Sequence, residues 1–324
     1  METKVLITGG AGFIGSHLAD ELDKHGLAYV RVLDNMRRGR MENLRNCRDR
    51  ITVRTGDILD RRVLAECAEG CDIVFHLAAQ SNVMGSAQDG NYCFAANVEG
   101  TFNVLEAARV AGVRRVVFSS SREVYGDPET LPVPESAPLA PKNPYGTSKA
   151  AGEVYCQAWR NNGIEVVILR LANAYGARDR ERVIPTFIEN ALAGRPLVLY
   201  GGGQVIDFVW IQDVVGALIR AGFGEYVRGP VNIASGHGLA LSEVAERVLL
   251  VTGSSSRIRY EAARTIEVIK FEADITMSQH LFHLERCLDP LRHLADVVDS
   301  IRFEQGLGYS TPDSHPPLGT PVLR

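Results

Sequence analysis
The chain has 324 residues, a net charge of −4, a pI near 6.1 and 45% hydrophobic residues. That is enough for one large or two ordinary domains around a sizeable core, and it gives no electrostatic case for nucleic acid or an anionic membrane. No apolar run approaches a membrane span, Met1-Glu2-Thr3-Lys4 leads straight into a strand pattern rather than a signal peptide, and the six cysteines show no second pair at metal-ligand spacing. The expectation is a cytoplasmic protein with no metal centre, its thiols reduced and packed as small hydrophobes.

Lys4–Thr8 is a short apolar run that reads as a buried parallel strand. Gly9-Gly10-Ala11-Gly12-Phe13-Ile14-Gly15 follows at once, and Leu18, Leu22 and His25 continue as an amphipathic helix. Glycines at 9, 12 and 15 allow a tight turn, a close approach to a pyrophosphate and close helix–strand packing. The N–H groups and positive dipole end of the helix then face the phosphates. Tyr29–Leu33 reads as the second strand, closed by Asp34 and Asn35. An acid at its end suits adenosine ribose hydroxyls and repels a 2′-phosphate, which favours NAD over NADP. The plain alternative for Asp34 is a loop cap, and Arg37, Arg38 and Arg40 lie close by.

Ile51–Arg54 is a third strand, with Asp57 and Ile58 at its end placed for the adenine. Asp72–Ala79 is a fourth, and the small residues around Leu77, Ala78 and Ala79 let a cofactor lie close. One long helix is expected from about Tyr92 to Ala111, with Asn97 facing inward, and Val116–Phe118 is the fifth strand. This alternation predicts a parallel sheet covered on both faces.

The fifth strand ends in Ser119-Ser120-Ser121-Arg122-Glu123, and Tyr145 precedes Lys149 by four residues, one helical turn. An ammonium near a phenol favours the phenolate, so such a tyrosine can take a proton from an alcohol near neutral pH. A neighbouring serine hydroxyl can hold the same oxygen while a nicotinamide takes the hydride. By itself Tyr-x-x-x-Lys is weak, since it occurs on many solvated helices.

Taken in order, Thr8–Gly15, His76–Ala79, Asn97, Ser119–Ser121, Val124–Gly126 and Tyr145 with Lys149 resemble the extended short-chain dehydrogenase/reductase family. The likeness is to its NAD-dependent nucleotide-sugar epimerases and dehydratases, of the UDP-glucose 4-epimerase kind, and it covers nearly the whole chain. It implies a Rossmann-type doubly wound parallel sheet with a smaller α/β substrate-binding domain. Residues 1–173 would bind NAD, with return segments about 205–235, and 174–324 would mainly bind a nucleotide-diphosphate sugar. In such enzymes Ser121 would hold the reacting hydroxyl, Tyr145 would be the base, and Lys149 would bind the nicotinamide ribose and depress the phenol pKa. The family's homodimer would pair helices near 92–111 and 147–162, whose apolar positions Phe102, Val104, Leu105, Val154 and Trp159 exceed what one core needs, though some must face their own sheet.

The second half continues the resemblance. Glu165–Arg170 is a buried strand leading to Asn173, which would contact the substrate diphosphate or serve as a plain turn residue. A helix is expected from Val183 to Ala193 after a basic loop with Arg178, Arg180 and Arg182, and Leu197–Tyr200 would lie along the substrate's base. In Val205–Ile211 the position where relatives carry a phosphate-binding arginine is Ile206, with Gln204 or a loop arginine as substitute. Asp213 begins a helix, and Val231–Ile233 returns to the main sheet. Arg264 and Glu267 resemble the family's clamp on diphosphate and ribose, the alternative being a surface salt bridge. The tail from Gly306 is expected to be irregular.

The resemblance leaves the second step of the reaction open, with a 4-epimerase ahead. The alternative is a 4,6- or 5,6-dehydratase using Glu123 as base at C5. Against it, Arg122 replaces the acid that many dehydratases carry, and a guanidinium cannot donate a proton at neutral pH. Pro144–Lys149 also lacks the decarboxylases' usual substitution. Glu123 would otherwise be a structural carboxylate paired with Arg122 or Arg114. Less favoured are an NAD(P)H-consuming keto-sugar reductase and a non-catalytic NAD-binding protein; the intact Ser121, Tyr145 and Lys149 speak against the last.

Overall fold
The computed structural model describes residues 2–47 and 50–306. The N-terminal half alternates strands and helices: β1 (Lys4–Thr8), α1 (Phe13–Lys24), β2 (Tyr29–Asp34), β3 (Ile51–Thr55), α2 (Arg61–Ala68) and β4 (Ile73–His76). Then come α3 (Val83–Gln88), α4 (Gly90–Phe94), α5 (Gly100–Val110), β5 (Arg115–Ser121), α6 (Pro144–Arg160) and β6 (Glu165–Leu171). The rest holds β7 (Asn173–Tyr175), α7 (Val183–Leu192), β8 (Leu197–Tyr200), β9 (Val205–Trp210), α8 (Ile211–Phe223) and β10 (Pro230–Ile233). It closes with β11 (Gly238–Ala240), α9 (Leu241–Thr252), β12 (Ile258–Glu261), α10 (Thr276–Phe282) and α11 (Leu294–Glu304).

Seven strands form one sheet in the order β10-β6-β5-β4-β1-β2-β3, every pair parallel. This is the Rossmann-type doubly wound arrangement. The apolar runs are continuous rather than alternating because both faces are covered. In β1, Val5 and Ile7 join the core on one face and Leu6 joins that on the other. In β5, Val117 takes the first face while Val116 and Phe118 take the second. The order reverses between β1 and β4, and a crevice opens there beyond the strands' carboxyl ends.

A separate core gathers Tyr175, Phe187, Leu197, Phe208, Val244 and Val297 from the C-terminal part. Its strands make two small sheets, β11-β9-β7 and β12-β8. Val231–Ile233 does return to the main sheet, against β6, whereas Val205–Trp210 belongs to the small one. The expected tail beyond Gly306 lies outside the described residues.

One reading needs correction and one is narrowed. The single helix over 92–111 is interrupted by a wide π turn at Ala95–Glu99. There Thr101 bonds back to the Asn97 carbonyl at 2.6 Å, and the Gly100 backbone lies so close to Ile58 that a Cβ would stand 2.5 Å from it. Of the apolar residues on the two helices, Val104 and Leu105 are the ones that face their own sheet, at 1% and 0% exposure. Phe102, Tyr155 and Trp159 form an edge-to-face cluster, and Val154 on the same helix as Tyr155 and Phe94 at the end of α4 are exposed.

Candidate active site
All the candidate residues except Asn97 line one cleft of about 980 Å³ at the carboxyl ends of the strands. Its first wall is backbone. Gly9 has φ +73°, and a Cβ there would meet Ala78 N at 2.7 Å; one on Gly15 would meet Gly9 O at 2.3 Å. These contacts bring the β1 turn, α1 and the end of β4 together as only glycine permits. Gly12 caps α1 with no side-chain hydrogen bond, so the first N–H groups of the helix are left to a ligand. Phe13, Ile14, Leu77, Ala78 and Ala79 continue this wall.

At the far end, Asp34 accepts hydrogen bonds from Ala11 N at 3.0 Å and Met36 N at 2.9 Å, so the loop-cap reading is realised at a residue that also lines the cleft. Burial pushes its carboxyl above the usual range. Asn35 donates to Asp57 at 2.8 Å, and Ile58 lies beside them. Arg37 sits 3.9 Å over the Tyr92 ring, and Arg38 is held by Ser81 at 2.9 Å and Glu181 at 3.3 Å. Both cations are thus already engaged. An adenosine dinucleotide fits this wall.

Asn97 does not reach the cleft. It is 1% exposed, accepts from Gln80 N at 2.7 Å and donates to Ser148 Oγ at 2.8 Å. It pins the loop after β4 to the helix that carries Tyr145, from behind.

The candidate catalytic group stands where β5 meets α6. Asn143 caps α6 by accepting from Gly146 N at 2.8 Å, with Pro144 in the first turn. Tyr145 and Lys149 follow on one face. Lys149 is 3% exposed, donates to Ser119 O at 2.7 Å and lies 6.0 Å from the centre of the Tyr145 ring. Burial pulls its ammonium down to about 8. Burial pushes the Tyr145 phenol up, opposed first by the charge of Arg182 and then by a hydrogen bond with Ser121. Arg182, which the sequence offers only as one member of a basic loop, thus joins Lys149 among the cations near the phenol.

Glu123 sits on the same wall at 5% exposure. Its Oε1 is 2.8 Å from Arg122 Nη2, and its Oε2 accepts from Asn143 Nδ2 at 2.7 Å. Arg114, the other proposed partner, pairs with Glu165 at 3.0 Å instead. Asn173 accepts from Arg122 Nε at 2.6 Å, bringing the start of β7 to the end of β5.

The remaining wall comes from the C-terminal part. Arg264 stacks 3.5 Å over the Tyr200 ring and pairs with Glu267 at 3.1 Å, which is the salt-bridge alternative, formed by two residues that line the cleft. Gln204 donates to Tyr200 O, while its own carbonyl oxygen is buried without a partner. Ile206 lies alongside at 8% exposure. The loop between β7 and α7 crosses toward the cofactor wall. Arg178 pairs with Asp20 at 2.6 Å, His17 bonds Ala177 O at 2.9 Å, and Arg182 pairs with buried Asp179 at 2.9 Å.

A glycine turn shaped for a dinucleotide beside a Ser–Tyr–Lys group defines an NAD-dependent enzyme of the short-chain dehydrogenase/reductase class. Residues 5–230 match the model of the NAD dependent epimerase/dehydratase family, and the chain belongs to it. It is 35% identical over 311 residues to the UDP-glucose 4-epimerase of Mycolicibacterium smegmatis, covering 92% of this chain and 98% of that one. It is 37% identical over 319 residues to the UDP-N-acetyl-alpha-D-glucosaminuronate decarboxylase of Bacillus cytotoxicus, covering 95% and 96%. The structure of dTDP-glucose 4,6-dehydratase from Streptomyces venezuelae with NAD bound superposes with a TM-score of 0.88 at 32% identity, covering 94% and 98%.

Proposed function
We propose that this protein is an NAD-dependent 4-epimerase of a nucleotide-diphosphate hexose. The observation that carries the reading is Glu123: each of its oxygens is already engaged, one by Arg122 and one by Asn143. A dehydratase or decarboxylase needs a carboxylate able to act near C5 and C6, and inversion at C4 does not. The dehydratase alternative rests on the position of Glu123 in the cleft wall, two residues after Ser121.

Bound NAD supplies the hydride acceptor and donor. The turn Gly9–Gly15 would hold its pyrophosphate, Asp34 the adenosine ribose, and Asp57 with Ile58 the adenine. Ser121 would fix the C4 hydroxyl by a hydrogen bond. Tyr145 would take the O4 proton as C4 is oxidised and return it after the keto sugar has turned over. Lys149, charged below about pH 8, holds this corner through Ser119 O. Asn173, Tyr200, Gln204, Arg264 and Glu267 would bind the nucleotide diphosphate. Ile206 leaves no arginine at the usual phosphate position, so the diphosphate charge falls to Arg264.

A cytoplasmic homodimer completes the reading. All six cysteines are free, and Phe94 at the end of α4 and Val154 on α6 expose 62% and 61% of their surface. Such exposed apolar residues fit a two-fold interface.

The test is a panel of UDP-, GDP-, dTDP-, ADP- and CDP-sugars with products read by NMR. Inversion at C4 with unchanged mass supports the proposal. A product lighter by one water or one carbon dioxide would refute it.

A further inference from the structure
The cleft wall contains a cation that the proposed reaction does not use. Arg122 is 8% exposed and touches two candidate groups at once: Nη2 lies 2.8 Å from Glu123 Oε1, and Nε donates to Asn173 Oδ1 at 2.6 Å. Its carbon centre lies 5.5 Å over the Phe271 ring, and Nη1 is buried without a partner. Arginine only donates, so it must hold Asn173 by the carbonyl oxygen, which leaves the asparagine's own N–H groups for another acceptor.

The consequence for Glu123 is chemical. A base must come within hydrogen-bond reach of the proton it removes. Oε1 is held by a guanidinium and Oε2 by an amide N–H, and turning Oε1 toward a carbon-bound proton would break a buried charge pair. Asn143, the second donor, also caps the helix bearing Tyr145 and Lys149, so it cannot swing away without loosening that helix.

We propose that Arg122 is a positioning residue that sets reaction specificity: it withholds Glu123 from C5 of the oxidised sugar. This rests on the 4-epimerase reading. Once C4 is a ketone, the C5 proton is acidified. With Arg122 in place no base answers it, and the keto sugar takes back its hydride. Without Arg122, Oε1 is free. The C5–H bond breaks, the proton goes to Oε1, and the electron pair enters the C4–C5 enolate. Return of a proton to C5 restores the ketone with no net oxidation. In D₂O the carboxyl proton exchanges with solvent, so the returning atom is deuterium.

The test is turnover in D₂O by the holoenzyme and by Arg122→Gln, Arg122→Met and Arg122→Lys, using a sugar nucleotide that the unaltered enzyme inverts. The unaltered enzyme should place no deuterium on carbon. Arg122→Gln and Arg122→Met should label C5, on the order of 10²-fold above that background, the lower end of what a positioned base supplies. Adding Glu123→Gln should abolish the label. Arg122→Lys should keep C5 unlabelled, because an ammonium still holds Glu123, while its KM rises because lysine lacks the second N–H that holds Asn173. C4 inversion without C5 label, in whichever of the Gln and Met variants folds, would overturn the proposal. Deuterium at C5 in the unaltered enzyme's product would overturn the epimerase reading as well, so the two failures are distinguishable.

Discussion
The two walls of the cleft are built from different materials. The cofactor wall is backbone: glycines at 9, 12 and 15, bare helix N–H groups, and strand ends packed closer than a side chain allows. The substrate wall is side chain: Arg264 on Tyr200, Glu267 on Arg264, and Arg122 between Glu123 and Asn173. Backbone sites depend on local spacing and tolerate almost no substitution. Side-chain sites depend on which distant segments meet, and they can be retuned one contact at a time.

The seam between the walls should be the most sensitive place. Tyr145→Phe removes the base and should lower turnover by about 10⁴-fold or more, at or beyond the upper end for general base catalysis, because the same hydroxyl also positions the alcohol. Steady-state kinetics on the folded variant checks this, and near-normal turnover would remove the mechanism.

On the cofactor wall, Gly15→Ala places a methyl 2.3 Å from Gly9 O and 2.7 Å from Gly10 Cα, both backbone atoms that cannot swing away. A loss of about 3 kcal/mol of stability, the upper end for overpacking, should accompany weakened NAD binding, as read by chemical denaturation and calorimetry. A variant with wild-type stability and affinity would show that this wall is softer than its geometry implies.

The buried ammonium gives a pH signature. Lys149 titrates at about 8 in the folded protein against 10.5 ordinarily. Between those values the unfolded chain holds the extra proton, so stability rises with pH across that window. The gain is on the order of 3 kcal/mol. Lys149→Met lacks it, so the stability difference between wild type and variant should move in the wild type's favour from pH 8 to 10. No change in that difference would mean that the ammonium is better solvated than its surroundings suggest.

The smallest effect belongs to the substrate wall. Arg264→Lys gives up the planar stack on Tyr200 and the forked N–H geometry but keeps the charge. KM for the sugar nucleotide should rise about tenfold with kcat nearly unchanged, the signature of lost uniform binding. A fall in kcat alone would assign Arg264 to the chemistry.

The same contrast explains what could be read in advance. The parallel sheet, the glycine turn, Asp34 and the Tyr145–Lys149 pair follow from local spacing and apolar runs, and the last three line the cleft as expected. Asn97 has the right spacing and the wrong depth, because the π turn at Ala95–Glu99 sets it behind the wall, against Ser148. Val104 and Leu105 looked like surplus apolar residues because the face a helix presents to its own sheet cannot be told from its other face by composition. Arg182 and the Arg122–Asn173 contact were hidden for a further reason. Each joins segments whose meeting depends on how the loops cross over the cleft, and no local periodicity encodes that.

The central claim is that hydride leaves C4 and returns to C4. A substrate carrying deuterium at C4 reads it directly. The account predicts an inverted sugar with the deuterium still on C4 and no accumulation of reduced cofactor in solution. Deuterium found on another carbon, or carried away stoichiometrically on released cofactor, would contradict it.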